Sequence, residues 1–491
     1  MSIIPQYETY RYTGEVCRLQ TQSIVECRLS GSEIGSVLAV QANATPTDCT
    51  CENGEVKYSG KLFLGIVYED SERKICRAER GVEFFHKAEG GDVTPACFAK
   101  MFYKAENIRF RREGSGLYIS VIVGAEATVY GAKQMEYLVG GENLVVKEES
   151  VTLTHSVCVS GETEAEDEFE TDYVGDILLH SERALVTRVN VNAGQLDIEG
   201  ELNLNVCVLK KEDEMCSYER LIPFRMQIPC EEAFGEVKAC ARVQVKNANL
   251  LAGVDEEKGK SKVLFTYTLC ADCFLHTKET VQVAGDVFST TVETQCEKQK
   301  GEGRYLTNVS RVVERVGGNA VLSPEIEGEY TLKGVVLPRA EIACKNGEAE
   351  GAVFAEVLLV GADGGYKSTS LSLPFAFPLQ TDGACAEVDC IVCGLNLRRR
   401  KEGGTEAEAT LKIVVRSYEE KQWSYLGEVK AGEAYAEEKS AFSVYVPAEG
   451  EELWQVAKRL KQTPDELKKC NPDLTFPVPA GQRLYVYRQI R

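Results

Sequence analysis

The stretch Asn53-Gly54-Glu55-Val56-Lys57-Tyr58-Ser59-Gly60-Lys61-Leu62-Phe63-Leu64 decides how this chain is read. Its Asn-Gly pair supplies the positive backbone dihedrals of a tight turn. The residues after the turn alternate polar and apolar side chains, so the pattern predicts a β-hairpin with one buried face. The layout returns at Ala193-Gly194-Gln195-Leu196-Asp197-Ile198-Glu199-Gly200-Glu201-Leu202-Asn203-Leu204. A third copy, Asn346-Gly347 with the apolar run 353–360, keeps the turn and the following strand but moves or loses the second glycine. Gly54 and Gly194 lie 140 positions apart and Gly194 and Gly347 lie 153 apart. Such a period fits a tandem domain and is too long for a solenoid repeat.

More of the chain recurs around these hairpins. Each is followed by a charged loop and another strand, at 80–85, 222–228 and 371–377, and Gly35 and Gly175 stand at the same distance upstream of the first two turns. A second hairpin is read at 108–130, 250–275 and 395–418, split by Gly-rich or charged turns at 112–116 and 401–405. Short strands with turns every eight to twelve residues predict a mainly β chain built from three tandem β-sandwich-like repeats. We place the repeats at 1–140, 141–296 and 297–430, with boundaries near Gly140 to Asn143 and at the charged stretch 296–303. A linker at 431–441 leads to a small βααβ domain at 442–491.

Composition bounds the function. Among 491 residues, 56 basic and 76 acidic side chains give a formal charge of −20, which argues against nucleic acid and against anionic membrane as general partners. The start Met1-Ser2-Ile3-Ile4-Pro5 has neither a basic nor an apolar segment, and no run of about 18 apolar residues follows, so neither export nor a transmembrane segment is expected. Nineteen cysteines, an odd number in a long chain without an export signal, are expected to be reduced strand hydrophobes in a cytoplasmic protein. The sequons at Asn43 and Asn308 are then chance matches.

The last fifty residues change register. Val444 to Val446 begin a strand, and Leu453, Val456, Ala457 and Leu460 recur at amphipathic helical spacing. Thr463-Pro464-Asp465-Glu466 combines a capping hydroxyl, a proline at the first helical position and a glutamate three residues after the cap, which predicts a second helix. Asn471-Pro472 ends it, Pro479-Ala480-Gly481-Gln482 turns, and Arg483 to Tyr487 closes as a strand. Eight basic residues, Lys458, Arg459, Lys461, Lys468, Lys469, Arg483, Arg488 and Arg491, face six acidic ones here, so the body carries the negative excess. That asymmetry suits docking to an acidic partner, and a solvated helix face accounts for the lysines equally well.

In order, Gly450, Glu451, Leu453, Trp454, Asn471, Pro479, Gly481 and Gln482 resemble a LysM domain, with Glu452 where a threonine is more usual and Cys470 atypical. LysM units commonly bind N-acetylglucosamine polymers, and the resemblance implies a groove bordered by Gly450, Glu451, Trp454, Asn471, Pro472 and Asp473. The whole layout, β repeats followed by a LysM-like unit, resembles the spore-coat-associated (SPOCS) domain proteins of endospore-forming clostridia. The family implies a non-enzymatic scaffold on the mother-cell side of the forespore surface, whose LysM-like domain docks a SpoIVA-like coat morphogenetic ATPase. Two alternatives stand beside it: a peptidoglycan-binding LysM protein, and a metal-dependent enzyme.

Candidate chemistry is sparse. Cys270-Ala271-Asp272-Cys273 with His276, and Cys390-Ile391-Val392-Cys393-Gly394 with Cys385, have the spacing of zinc ligands. Both pairs lie in strand-like sequence, where residues three apart point to opposite faces, so no metal or cofactor site is assigned. Cys49 and Cys51 are read as core. His86, His155, His180 and His276 are the only histidines, and no Gly-x-Ser-x-Gly, His-Glu-x-x-His or Walker motif occurs, so no catalytic residue is assigned. The acidic run 162–170 is read as a solvated loop.

Overall fold

The computed structural model describes residues 2–29, 34–114, 116–210, 214–255, 260–324, 330–382, 385–400, 404–436, 441–479 and 481–487, with backbone alone at 254–255. The chain is mainly β. Its first strand set comprises β1 (Ile4–Leu29), β2 (Ile34–Glu52), β3 (Glu55–Asp70), β4 (Ile75–Glu89), β5 (Phe98–Glu113) and β6 (Gly116–Glu142). These form two antiparallel sheets, ordered β1-β6-β5 and β2-β3-β4. Both sheets feed one core, with Val25, Met101 and Val121 from the first meeting Ala44, Leu62 and Phe84 from the second.

The second set repeats this topology. It comprises β7 (Val145–Thr171), β8 (Gly175–Asn192), β9 (Gln195–Lys210), β10 (Met215–Pro229), β11 (Lys238–Asp255) and β12 (Lys260–Phe288), ordered β11-β12-β7 and β10-β9-β8. The third set is β13 (Val292–Ser323), β14 (Tyr330–Lys345), β15 (Glu348–Gly361), β16 (Tyr366–Pro378), β17 (Cys385–Arg399) and β18 (Thr405–Ala434). Here the end of β13 also pairs with β16, joining all six strands in the order β14-β15-β16-β13-β18-β17.

The three glycine turns fall where the alternation placed them. Gly54 (φ 80°), Gly194 (φ 80°) and Gly347 (φ 78°) each join the first two strands of a β2-β3-β4 type sheet. Gly35 and Gly175 sit at the start of β2 and β8 for a different reason. A Cβ there would lie 2.5 Å from the Glu69 carbonyl oxygen and 2.0 Å from that of Leu209, so the partner strand leaves no room for a side chain.

Three expectations are corrected. The strands are long rather than short; β13 alone has 32 residues. The charged stretch 296–303 is no boundary but part of β13, paired with β18 from Cys296↔Val429 to Gly303↔Lys421. Its glycines make space, since a Cβ on Gly301 would sit 2.2 Å from the Trp423 indole nitrogen. The acidic run 162–170 is likewise no loop. It lies in β7, with Glu162, Glu164, Glu166, Glu168 and Glu170 outward and Thr163, Ala165, Asp167 and Phe169 turned inward. Residue 115, the turn residues 401–403, the linker residues 437–440, Ala480, Arg488 and Arg491 lie outside the described residues.

The three sets meet around a common centre. At one end, long ribbons of β1 with β6, β7 with β12 and β13 with β18 pack together through Tyr12, Met135, Leu153, Val283, Trp423 and Tyr425. At the other end, Leu38, Val67, Leu178, Cys207, Val336 and Leu358 close a second cluster drawn from all three sets. Between these two apolar ends the centre is polar.

The tail follows as β19 (Phe442–Tyr445), α1 (Leu453–Leu460), α2 (Pro464–Cys470) and β20 (Leu484–Tyr487), with β19 antiparallel to β20. Thr463 caps α2, its hydroxyl accepting from the Glu466 amide (3.2 Å) while the Thr463 amide donates to the Glu466 carboxylate (3.0 Å). No helix among the described residues is long and apolar enough to cross a membrane.

Candidate functional site

Two places concentrate functional groups, the tail with its seat on the body and the polar centre between the strand sets. The seat is built by an irregularity of β12. Between Ala284 and Asp286 the register with β7 shifts, and a Cβ on Gly285 would run into the Glu149 carboxylate at 2.1 Å. A bulge of this kind re-aims the next side chain. Asp286 thereby accepts hydrogen bonds from the Trp454 indole (2.7 Å) and from the Lys458 ammonium (2.6 Å). Although partial burial opposes its charge, these two donors hold its carboxyl below the usual range. Phe288 meets the Trp454 ring edge-on at 5.1 Å and enters the core of the tail with Val456, Ala457 and Leu467.

The six residues of the expected groove have diverse surroundings. Trp454 faces the body. Glu451 is buried, accepting from the Ala448 amide (3.0 Å) and pairing with Arg459 (2.6 Å). Asn471, also buried, bridges α2 to β20: its amide donates to the Leu467 and Tyr485 carbonyls (3.0 and 2.8 Å) and its oxygen accepts from the Tyr485 amide (2.7 Å). Gly450 (φ 81°) donates to the Val478 carbonyl (3.0 Å), tying the loop before α1 to the loop after α2. Pro472 and Asp473 are exposed. On the outer side of the small sheet Phe442, Val444, Val446, Tyr485 and Tyr487 are exposed as well, with Phe442 stacked on Tyr485 at 5.9 Å.

The polar centre was not legible as a motif. Glu387 on β17 is its hub. Arg18 of β1, Arg242 of β11 and Arg304 of β13 reach it from the three strand sets, with Arg416 of β18 beside it. The Arg304 contact is 2.8 Å, and those of Arg242 and Arg416 are 3.5 Å. Burial would raise its pKa, but the guanidiniums of Arg242, Arg416, Arg18 and Arg304 hold the carboxyl well below the usual range. Tyr418 donates to the same carboxylate (3.3 Å), and the Arg304 guanidinium lies over the Tyr418 ring at 3.6 Å. Further charges complete the balance: Glu15 on Arg18 (2.7 Å), Glu126 on Arg242 (3.5 Å) and Asp389 on Arg416 (2.6 Å).

A Ser-His pair borders this hub. Ser156 lies 3.1 Å from His276 Nδ1 with both residues buried, and His276 Nε2 has no hydrogen-bond partner among the described residues. Burial and the nearby Arg304 charge push the imidazole down to about 4. No carboxylate is hydrogen-bonded to that ring, so the orienting third member of a nucleophilic triad is missing from the described residues.

The cysteine pairs behave as strand residues. Cys273 is fully buried, whereas Cys270 turns the other way and contacts Glu162 at 3.2 Å. Burial pushes the Cys270 and Cys393 thiols up to about 11 and those of Cys273 and Cys390 up to about 12. Protonated thiols are weak metal ligands and weak nucleophiles. All nineteen cysteines are free thiols, Cys49 and Cys51 pack against the core of the first set, and the described residues contain no metal-binding group of three or more His, Cys, Asp or Glu.

No protein-family model, curated protein or solved structure matches this chain. Geometry and residue chemistry therefore carry the functional reading.

Proposed function

We propose that this chain is a non-enzymatic scaffold of the SPOCS family, with three tandem β-sandwich-like repeats and a LysM-like tail that docks protein rather than glycan. The observation that carries this reading is the seat of Trp454. Its indole is hydrogen-bonded to Asp286 and packed on Phe288, so the aromatic that would border a sugar groove is spent on holding the tail to the body. Glu451 and Asn471 are likewise engaged in internal bonds, whereas the exposed apolar side of the β19-β20 sheet, with Tyr485 and Tyr487, suits a protein surface.

By resemblance to the SipL-type spore morphogenetic proteins, the partner is a SpoIVA-like coat morphogenetic ATPase and the setting is the mother-cell side of the forespore. Deleting 442–491 should abolish capture of that ATPase in a pull-down while the remaining body keeps its β circular dichroism. Undiminished capture would reject the proposal. Sedimentation with purified peptidoglycan tests the glycan alternative, for which the intact chain should stay in the supernatant.

A further inference from the structure

A groove of about 610 Å³ lies between the second and third strand sets, walled by 186–192 of β8, 237–241 around the start of β11 and 306–309 of β13. A groove over a sheet face is lined by alternate residues, since successive side chains point to opposite faces. Here 186–192 line it without a gap, so the groove follows the edge of β8. That edge is open. Among the described residues β8 is the last strand of β10-β9-β8 and pairs with β9 alone, regularly from Arg188↔Glu199 to Asn192↔Gln195. Along such an edge every second residue turns its N–H and C=O away from the partner strand, a ready template for one more strand.

The charge of the groove is unlike that of the rest of the chain. Aspartate and glutamate make up 76 of the 491 residues, yet the described lining has none, while Arg188, Lys238 and Arg416 give it three cations. Arg188 is exposed, with neither a hydrogen bond nor an ion pair among the described residues. Lys238 donates to the Thr307 carbonyl. Arg416 is buried, and although its Nε and Nη1 face Glu387 and Asp389, its Nη2 has no partner among the described residues. Acids just outside the groove are already engaged, Asp382 by Asn308 (2.6 Å) and Asp197 by Gln195 (2.7 Å) and Gln227 (2.9 Å). Val237, Leu306 and Val309 add apolar wall. An open strand edge gives an extended peptide its main-chain bonds, and the side chains around it select the sequence. We propose that this groove takes an extended acidic peptide of a partner protein, which adds as a strand beside β8 and sets its carboxylates on Arg188 and Lys238. A lone small anion would use the cations and leave the edge idle. The inference is independent of the tail and of the scaffold reading.

The test uses the full-length chain and a fluorescently labelled peptide of about seven residues that alternates glutamate and valine, long enough to span the open edge at about 3.4 Å per residue. Fluorescence anisotropy should show saturable binding, and amide hydrogen exchange at 186–192 should slow when the peptide is bound. A peptide with lysine in place of glutamate should bind at least about tenfold more weakly. Two further peptides keep every charge but are N-methylated at alternate amides, one along each edge. At least one of these should lose saturable binding, because an added strand pairs through its edge. Arg188→Glu changes an exposed, unpaired side chain, so its circular dichroism should match wild type while its affinity for the glutamate peptide falls at least about tenfold. No saturable binding of the glutamate peptide, unslowed exchange at 186–192, or equal affinity of the lysine peptide, of both methylated peptides or of Arg188→Glu overturns the inference.

Discussion

Replacing Glu387 by glutamine should loosen the joint between the three strand sets. The substitution keeps size and an acceptor oxygen but removes the one carboxylate that four guanidiniums share. Three of them retain another acid, Glu15 for Arg18, Glu126 for Arg242 and Asp389 for Arg416. Arg304 does not. It is left with the Cys385 sulfur at 3.1 Å and the face of Tyr418. Breaking a buried ion pair from one side costs about 3–5 kcal/mol, and the surviving amide acceptor places this variant near the lower end, at about 3 kcal/mol. The assay is urea unfolding in a Trp454→Phe background, where Trp423 is the sole tryptophan and reports on the end where the ribbons of the three sets pack together. A double-mutant cycle with Arg304→Ala should give a coupling of about 1–3 kcal/mol. A loss below about 1 kcal/mol, or additive single and double variants, would refute the reasoning.

Protonation of His276 gives a second test. Its folded pKa of about 4 lies below the ordinary 6.5, so the unfolded chain binds the extra proton between those values. Its contribution is full above pH 6.5, declines as pH falls towards 4, and amounts to about 3 kcal/mol over that window; His276→Gln should flatten this part of the stability profile. At the tail, Asp286→Ala leaves the Trp454 indole and Lys458 without their acceptor and should cost about 2 kcal/mol of docking, read as a red-shifted Trp454 emission in a Trp423→Phe background. An unshifted spectrum would mean the seat does not hold the tail. Gly301→Ala forces a Cβ against Trp423 and should cost about 1–3 kcal/mol in thermal unfolding, whereas Gly54→Ala, with open space around it, should show only the strain of its positive φ.

What the sequence made legible was local. A glycine at positive φ followed by period-two alternation marks a hairpin from neighbouring residues alone, and Gly54, Gly194 and Gly347 all obeyed. Glycine in a sequence reads as an interruption and so shortens the expected strands, whereas Gly301 and Gly303 clear space beneath Trp423 and beside Thr154 inside β13. The acidic run 162–170 misled because its charge density hid the alternation of its inward residues. The meeting of Glu387 with the arginines of the other strand sets leaves no local signal, since Arg18 and Glu387 are 369 positions apart. The one local cue is that Glu387 and Asp389 stand two apart on β17 with Arg416 opposite Glu387 on β18.

The pairing of β13 with β18, continuous from Val292↔Ala434 to Ala320↔Thr405 apart from local register shifts, also has a mechanical meaning. The tail hangs from the end of β18, so a tug on it runs along the strand, while the hydrogen bonds of an antiparallel ladder stand across it. Such a pull strains the whole ladder at once in shear instead of peeling it bond by bond. The body would therefore hold as a tether at loads that detach the tail at Asp286 and Phe288, making that seat the weak link under tension.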